Sequence, residues 1–126
     1  IENADPSLSW MRIVRNRAEK DGGGMYIKSS NTELSYILIS ENVAAGDGGG
    51  YNGGGIFMDA SSVTMDHVTI ASNFSTQNGS GLYFENGSIY IFTKQHFMST
   101  NNRLGGNIGY IIFLEEYLYL ILVLIG

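Results

Sequence analysis

Six carboxylates in the central part of the chain, Glu33, Glu41, Asp47, Asp59, Asp66 and Glu85, are the side chains most able to do acid–base chemistry. Glycosidic hydrolysis needs two of them roughly 5–10 Å apart, one as acid and one as base or nucleophile. On a repeating scaffold such a pair must occupy equivalent positions of neighbouring repeats. Glu85 follows Asp59 by one repeat, and Lys28 precedes it by one. For Asp66 the equivalents fall at Ser35 and Phe92, so no column of acids forms there. A pair with no positioned partner is expected to be solvated surface. His67 adjoins Asp66 at what reads as a bend between two strands, but neighbours in sequence are not a triad, whose members meet in space. His96 falls at an inward position. No catalytic residue, metal ligand or cofactor is expected.

The glycine runs do not hold phosphate. A Walker loop ends in Gly-Lys-[Ser/Thr], and no lysine follows any run here. A calcium β-roll needs an Asp after its glycines, whereas Asp47 precedes Gly48-Gly49-Gly50. Glycosylation sequons begin at Asn73, Asn78 and Asn86. Asn73 belongs to the repeat pattern described next and is expected to be inaccessible.

The glycines mark a repeat. Gly22-Gly23-Gly24-Met25-Tyr26, Gly53-Gly54-Gly55-Ile56-Phe57 and Gly79-Ser80-Gly81-Leu82-Tyr83 are copies of one string, and Gly105-Gly106-Asn107 reads as a degenerate fourth. Gly24, Gly55, Gly81 and Asn107 are separated by 31, 26 and 26 residues, which leaves five extra residues in one copy, near Gly46–Asn52. Asparagines keep step. Asn16, Asn42, Asn73 and Asn101 each stand three residues after Ile13, Ile39, Ile70 and Met98, and Gly24 to Asn42 and Gly55 to Asn73 are both 18 residues. A period of this size signals stacked supersecondary units.

Between these markers the apolar residues alternate in short runs: Met25-x-Ile27, Thr32-x-Leu34 and Ile37-x-Ile39; Ile56-x-Met58, Val63-x-Met65 and Val68-x-Ile70; Leu82-x-Phe84, Ile89-x-Ile91 and His96-x-Met98. Alternation of this kind is the pattern of a half-buried strand. Three strands per copy in constant phase predict an all-β fold, a single-stranded parallel β-helix of about four coils. Each strand would pair with its equivalent one coil on. Ile13, Ile39 and Ile70 would then form an internal ladder, and the asparagines another, each amide bonding the next. A sandwich or barrel also accommodates the strands but not the constant phase.

The string I-x-x-N-x-A-x-x-x-G-G-G-[MIL]-[YF], present as Ile13 to Tyr26 and returning at Ile39 to Phe57 and Ile70 to Tyr83, resembles the right-handed parallel β-helix repeats of polymorphic outer membrane protein-like adhesins and related surface passengers. The resemblance covers about residues 7–110. It implies a right-handed β-helix, exposure at the cell surface or outer membrane or secretion, and adhesion to a protein or glycan ligand.

Composition agrees with a single folded domain. With 126 residues there is room for one domain, and 44% hydrophobic residues suffice for a core. The absence of cysteine excludes a disulfide framework and thiolate metal sites. Seven Lys and Arg against 12 Asp and Glu, a net charge of −5, argue against a nucleic-acid partner. The chain opens at Ile1 and reads as part of a longer product, so any export signal or membrane association would belong to a parent chain. Residues 1–110 are assigned to the repeats. Residues 111–126 are strongly apolar, interrupted by Glu115 and Glu116, and are read as a cap over the open end or a truncated tail. The expected function is a non-catalytic surface scaffold, a fragment of an adhesin or autotransporter-type passenger. The alternative is a carbohydrate-active β-helix enzyme, which would show carboxylates converging in a groove.

Overall fold

The computed structural model describes residues 1–92, 97–98, 104–106 and 110–113. They are all β, with no helix among them. The strands are β1 (Ser7–Val14), β2 (Arg17–Ala18), β3 (Met25–Lys28), β4 (Asn31–Ser40), β5 (Val43–Ala44), β6 (Ile56–Asp59), β7 (Ser62–Ala71), β8 (Phe74–Ser75), β9 (Leu82–Glu85), β10 (Ile89–Phe92), β11 (Phe97–Met98), β12 (Leu104–Gly106) and β13 (Tyr110–Phe113). One sheet has the order β1-β4-β7-β10-β13, with β11 also on β7; a second runs β12-β9-β6-β3; a third runs β2-β5-β8. Every pairing is parallel, and each joins equivalents from neighbouring repeats: Ile13 to Ile39 to Ile70, Met25 to Ile56 to Leu82, Val43 to Phe74.

The inward positions of the first two sheets merge into one core. Ile27, Ile39, Ile56, Met58, Val63, Met65, Val68, Ile70, Leu82 and Phe84 are fully buried, and Leu8 and Ile13 pack on them from the first repeat. Each such side chain contributes about 1.5–3 kcal/mol on burial. The alternation breaks once in β4 and once in β7, because Tyr36 and His67 have φ of 53° and 52° and reverse the pleat there. The expected bend between two strands is thus a single left-handed residue inside a ten-residue strand.

Glycine and asparagine repeat together for one reason. A Cβ on Gly24 would lie 2.7 Å from the carbonyl oxygen of Gly55 and 3.0 Å from the Asn42 amide nitrogen; on Gly55 it would meet Gly81 and Asn73 in the same way. The asparagine column therefore occupies the space that only glycine leaves open. Gly22, Gly53 and Gly79 instead carry the turn, with φ of 73°, 66° and 60°. Within the column, the Asn42 side-chain amide donates to Asn73 Oδ1 at 3.0 Å and to the Ile13 carbonyl at 2.8 Å. Its Oδ1 accepts from both the backbone and the side-chain nitrogen of Asn16, at 3.0 Å each. Asn73 is 4% exposed, which leaves its sequon inaccessible. Asn101 and His96 lie outside the described residues.

Three readings from the apolar spacing are corrected. Ile89 and Ile91 pair with Ser62 and Thr64, and Phe92 pairs with Met65 rather than Asp66. The cause is one extra residue in the preceding bend: Asp59 pairs with Glu85, but the next strand begins with Ser62 opposite Ile89. Asn86 and Gly87 both take positive φ there, where Ala60 alone does so one repeat earlier. Gly105 and Gly106 pair with Tyr83 and Phe84 within a strand, not with the glycine bend. Tyr110–Phe113 pairs with Ile89–Phe92; residues 114–126 lie outside the described residues.

The five extra residues are the first five of the Gly46–Asn52 run. The Ala45 N–H donates to the Ala18 carbonyl, and the Thr76 N–H to Ala44. Gln77 then bonds to Tyr51, and Gly22 to Asn52. Tyr51 and Asn52 are therefore back in register, and the excursion is Gly46–Gly50. Deleting Gly46–Gly50 shortens a loop whose closure entropy changes slowly with length. The deletion is expected to alter stability by less than about 1 kcal/mol, measured by urea denaturation.

Thr32 is the one buried polar misfit among the described residues. It is 1% exposed on the core side opposite Val63, and its Oγ1 has no hydrogen-bond partner. Replacing an unsatisfied buried hydroxyl by a methyl removes a desolvation cost. Thr32→Val is expected to stabilise the protein by about 1 kcal/mol, a rise of about 4 °C in melting temperature by calorimetry.

Candidate functional site

The backbone devices that hold the stack also decide which side chains face outward. Among the described residues, all ten non-glycine residues with positive φ fall in three columns: Asn3, Ser29, Ala60 and Asn86; Trp10, Tyr36 and His67; Arg15, Glu41 and Ser72. A left-handed residue swings its side chain away from the core. In the second column this builds an outer ladder of rings. Trp10 stacks on Tyr36 with centroids 4.2 Å apart and planes 1° from parallel, and Tyr36 on His67 at 4.5 Å and 17°. His67 Nδ1 lies 2.8 Å from Asp66 Oδ1. A second ladder, Tyr26, Phe57 and Tyr83, stacks at 5.0 and 5.3 Å on the sheet of β3, β6 and β9.

Beside the first ladder, one residue earlier in each repeat, the outward positions of β1, β4 and β7 form a shallow groove of about 280 Å³. Its polar walls are Ser7, Glu33 and Thr64 in one column and Ser9, Ser35 and Asp66 in the next. Glu33 Oε2 accepts from the Ser7 hydroxyl at 2.7 Å.

The sequence-derived acid pair is built differently. Lys28, Asp59 and Glu85 are Cα partners in one column. Asp59 Oδ1 accepts from the Asn86 amide at 2.6 Å, and Lys28 Nζ lies 3.8 Å from Glu2 rather than on either of the two acids. Among the described residues Arg15 and Glu41 form an exposed ion pair 2.8 Å apart, and that contact raises the guanidinium pKa. No three His, Cys, Asp or Glu side chains converge on a metal-sized space among the described residues. No helix among them is long and apolar enough to cross a membrane.

Sequence reasoning located the columns but missed what fills two of them. The aromatic ladders have a signal in retrospect: Trp10, Tyr36 and His67 are spaced 26 and 31 residues apart, the same steps as the asparagines. Buried Ser30, Ser61 and Ser88 form a further ladder. The Ser30 N–H donates to Ser61 Oγ and the Ser61 N–H to Ser88 Oγ, while each hydroxyl donates to a carbonyl of its own bend. No family model, curated protein or solved structure matches the chain.

The second ladder has a measurable electrostatic consequence. Partial burial, and then the nearby Asp59, push the Tyr26 phenol above its ordinary pKa; burial and then Glu85 do the same for Tyr83. A raised acid pKa means that the native state holds the proton longer than the unfolded chain. That stability is complete below the unfolded tyrosine value of about 10 and is lost as pH rises through the native values. Alkaline denaturation is expected to steepen above about pH 10. The Tyr26→Phe, Tyr83→Phe double variant is expected to flatten that limb, measured by urea midpoints between pH 8 and about pH 11.

Proposed function

We propose that the three parallel sheets are the faces of a right-handed parallel β-helix of about four coils. In this reading the chain is a non-catalytic scaffold, secreted or displayed at the cell surface or outer membrane, and part of a longer adhesin or autotransporter-type passenger. Its outer faces bind a protein or glycan. The observation that carries the reading is the in-register pairing of equivalents in all three sheets, at sequence steps of 26 and 31 from β1 through β9. Such pairing turns each outward position into a column, and a run of columns makes an extended binding surface of the kind stacked repeats use. Right-handed crossing is the strong preference for parallel strands joined in one sheet.

The test is a binding panel run beside an activity panel. Immobilised matrix proteins and glycans should capture the purified chain saturably, while soluble neutral and uronic-acid polysaccharides release no new reducing ends over the same period. Turnover that disappears in Asp59→Asn or Glu85→Gln would replace the scaffold by a carbohydrate-active enzyme.

A further inference from the structure

We propose that Asn86–Gly87, in the bend between β9 and β10, is a site of spontaneous deamidation that replaces the amide holding Asp59 by a carboxylate. The inference is independent of what the outer faces bind.

The reaction needs only water. The Gly87 backbone nitrogen attacks Asn86 Cγ and gives up its proton. The Cγ–Nδ2 bond breaks, and the side-chain nitrogen leaves with that proton as ammonia. Water then opens the cyclic imide at either carbonyl, giving an aspartyl or an isoaspartyl residue. One water is consumed and one ammonia is released, with nothing oxidised or reduced. A glycine after the asparagine leaves the attacking nitrogen unshielded and its backbone free to turn.

The chain has three Asn-Gly pairs, Asn52-Gly53, Asn78-Gly79 and Asn86-Gly87, and the fold separates them. At Asn86-Gly87 both residues are exposed, φ is 52° and 72°, and the Ser88 N–H donates to the Glu85 carbonyl at 3.2 Å. Positive φ at both central residues defines a type I′ turn. Turning over the peptide plane between them gives type II′, in which ψ of the first residue is about −120° and the ends of the turn stay in place. At that angle the glycine nitrogen faces the asparagine side-chain carbon. Nothing obstructs the movement. A Cβ on Gly87 would meet no atom within 4 Å, and neither the Asn86 carbonyl nor the Gly87 N–H has a hydrogen bond among the described residues.

The other two pairs are held. Gly53 and Gly79 are buried, and a Cβ on them would collide with the Ile56 and Leu82 carbonyls. The Asn52 carbonyl accepts from the Gly22 N–H at 3.0 Å, the Gly53 N–H donates to the Asn78 carbonyl at 3.1 Å, and Asn52 Oδ1 accepts from the Asn78 N–H at 3.1 Å. The Asn78 carbonyl also accepts from the Ser75 hydroxyl at 2.8 Å. Cyclisation at either pair breaks backbone hydrogen bonds, whereas Asn86 gives up only its exposed contact with Asp59.

That contact is what the reaction changes. Asn86 Nδ2 donates to Asp59 Oδ1 at 2.6 Å, and Asp59 stands opposite Glu85. The product puts a third carboxylate beside these two, while Lys28 Nζ is turned to Glu2 at 3.8 Å. Like charges at such close quarters destabilise paired strands. The modified bend is therefore weaker, and the change is one-way.

The full chain is incubated native in mildly alkaline buffer at physiological temperature, and in parallel unfolded in urea. Chymotrypsin cuts after Tyr51, Phe57, Phe74, Tyr83, Phe84 and Tyr90, which puts each asparagine on its own peptide for mass spectrometry against an unincubated sample. In the native chain, conversion at Asn86 is expected to be at least about tenfold faster than at Asn52 or Asn78, the rate equivalent of one net hydrogen bond. In urea the three rates should converge. Asn86→Asp is expected to melt about 2–4 °C below the parent at low salt, with the gap narrowing as salt screens the acids. Native conversion at Asn52 or Asn78 that matches Asn86 overturns the proposal. So does a native Asn86 that stays intact while the unfolded chain reacts. An Asn86→Asp variant as stable as the parent at low salt overturns the link to Asp59.

Discussion

Parallel in-register pairing places every residue about 4.8 Å from its own equivalent, and the rest of the structure follows from that constraint. A side chain in such a column must be compatible with a near-copy of itself above and below. Apolar residues meet the condition by packing, as Ile39 does on Ile70. A buried polar group meets it only if it can donate on one side and accept on the other. Asparagine can, with two N–H donors and a carbonyl on one short side chain. Asn42 uses every one of these groups inside the protein and is fully buried. Serine can as well, which is why Ser30, Ser61 and Ser88 remain buried at a bend. Thr32 faces Val63 and cannot, because its column offers no acceptor on that side.

The bends show tertiary pairing overriding local preference. A non-glycine residue in the left-handed region costs roughly 1–2 kcal/mol. Here Trp, Tyr, His, Arg, Glu, Ser and Ala all adopt it, along with Asn3 and Asn86. No common propensity links those residue types. What they share is column position, so the geometry of the stack selects the conformation and the residue conforms. At Gly24 and Gly55 glycine is kept because the obstacle is a neighbouring backbone rather than the residue's own φ.

This division also explains how much of the architecture is readable from the chain. Strand content, parallel pairing and the inward set from Met25 to Ile70 follow from alternation and phase, because burial forces apolar residues to recur. The Asn–Gly coupling is readable for the same reason, since each residue type is the only one that fits its place. Register is lost where one residue enters a bend: Gly87 lies in open space with nothing to clash against, so its insertion moves Ile89 and Ile91 to the outward row at little cost. In the sequence those isoleucines still look like core. The outer ladders escape pattern reading because exposed columns accept chemically different rings. Trp10, Tyr36 and His67 share flatness rather than hydrophobicity, and a scale of hydrophobicity does not see flatness.

Outer columns are free of packing constraints, but not of electrostatic ones. Like charges directly across a pair of strands are destabilising. The columns mostly avoid them: Glu33 stands between Ser7 and Thr64, Glu41 follows Arg15, and Asp66 has Ser35 on its earlier side. Asp59 beside Glu85 is the exception, and the structure relieves it locally by directing the Asn86 amide onto Asp59. The acid pair that first suggests chemistry is thus a strained column with its own internal remedy. The acids spaced out among hydroxyls, Glu33 and Asp66, keep an oxygen open to solvent. Dilution of charge along a column preserves the stack and also leaves hydrogen-bonding capacity on the surface.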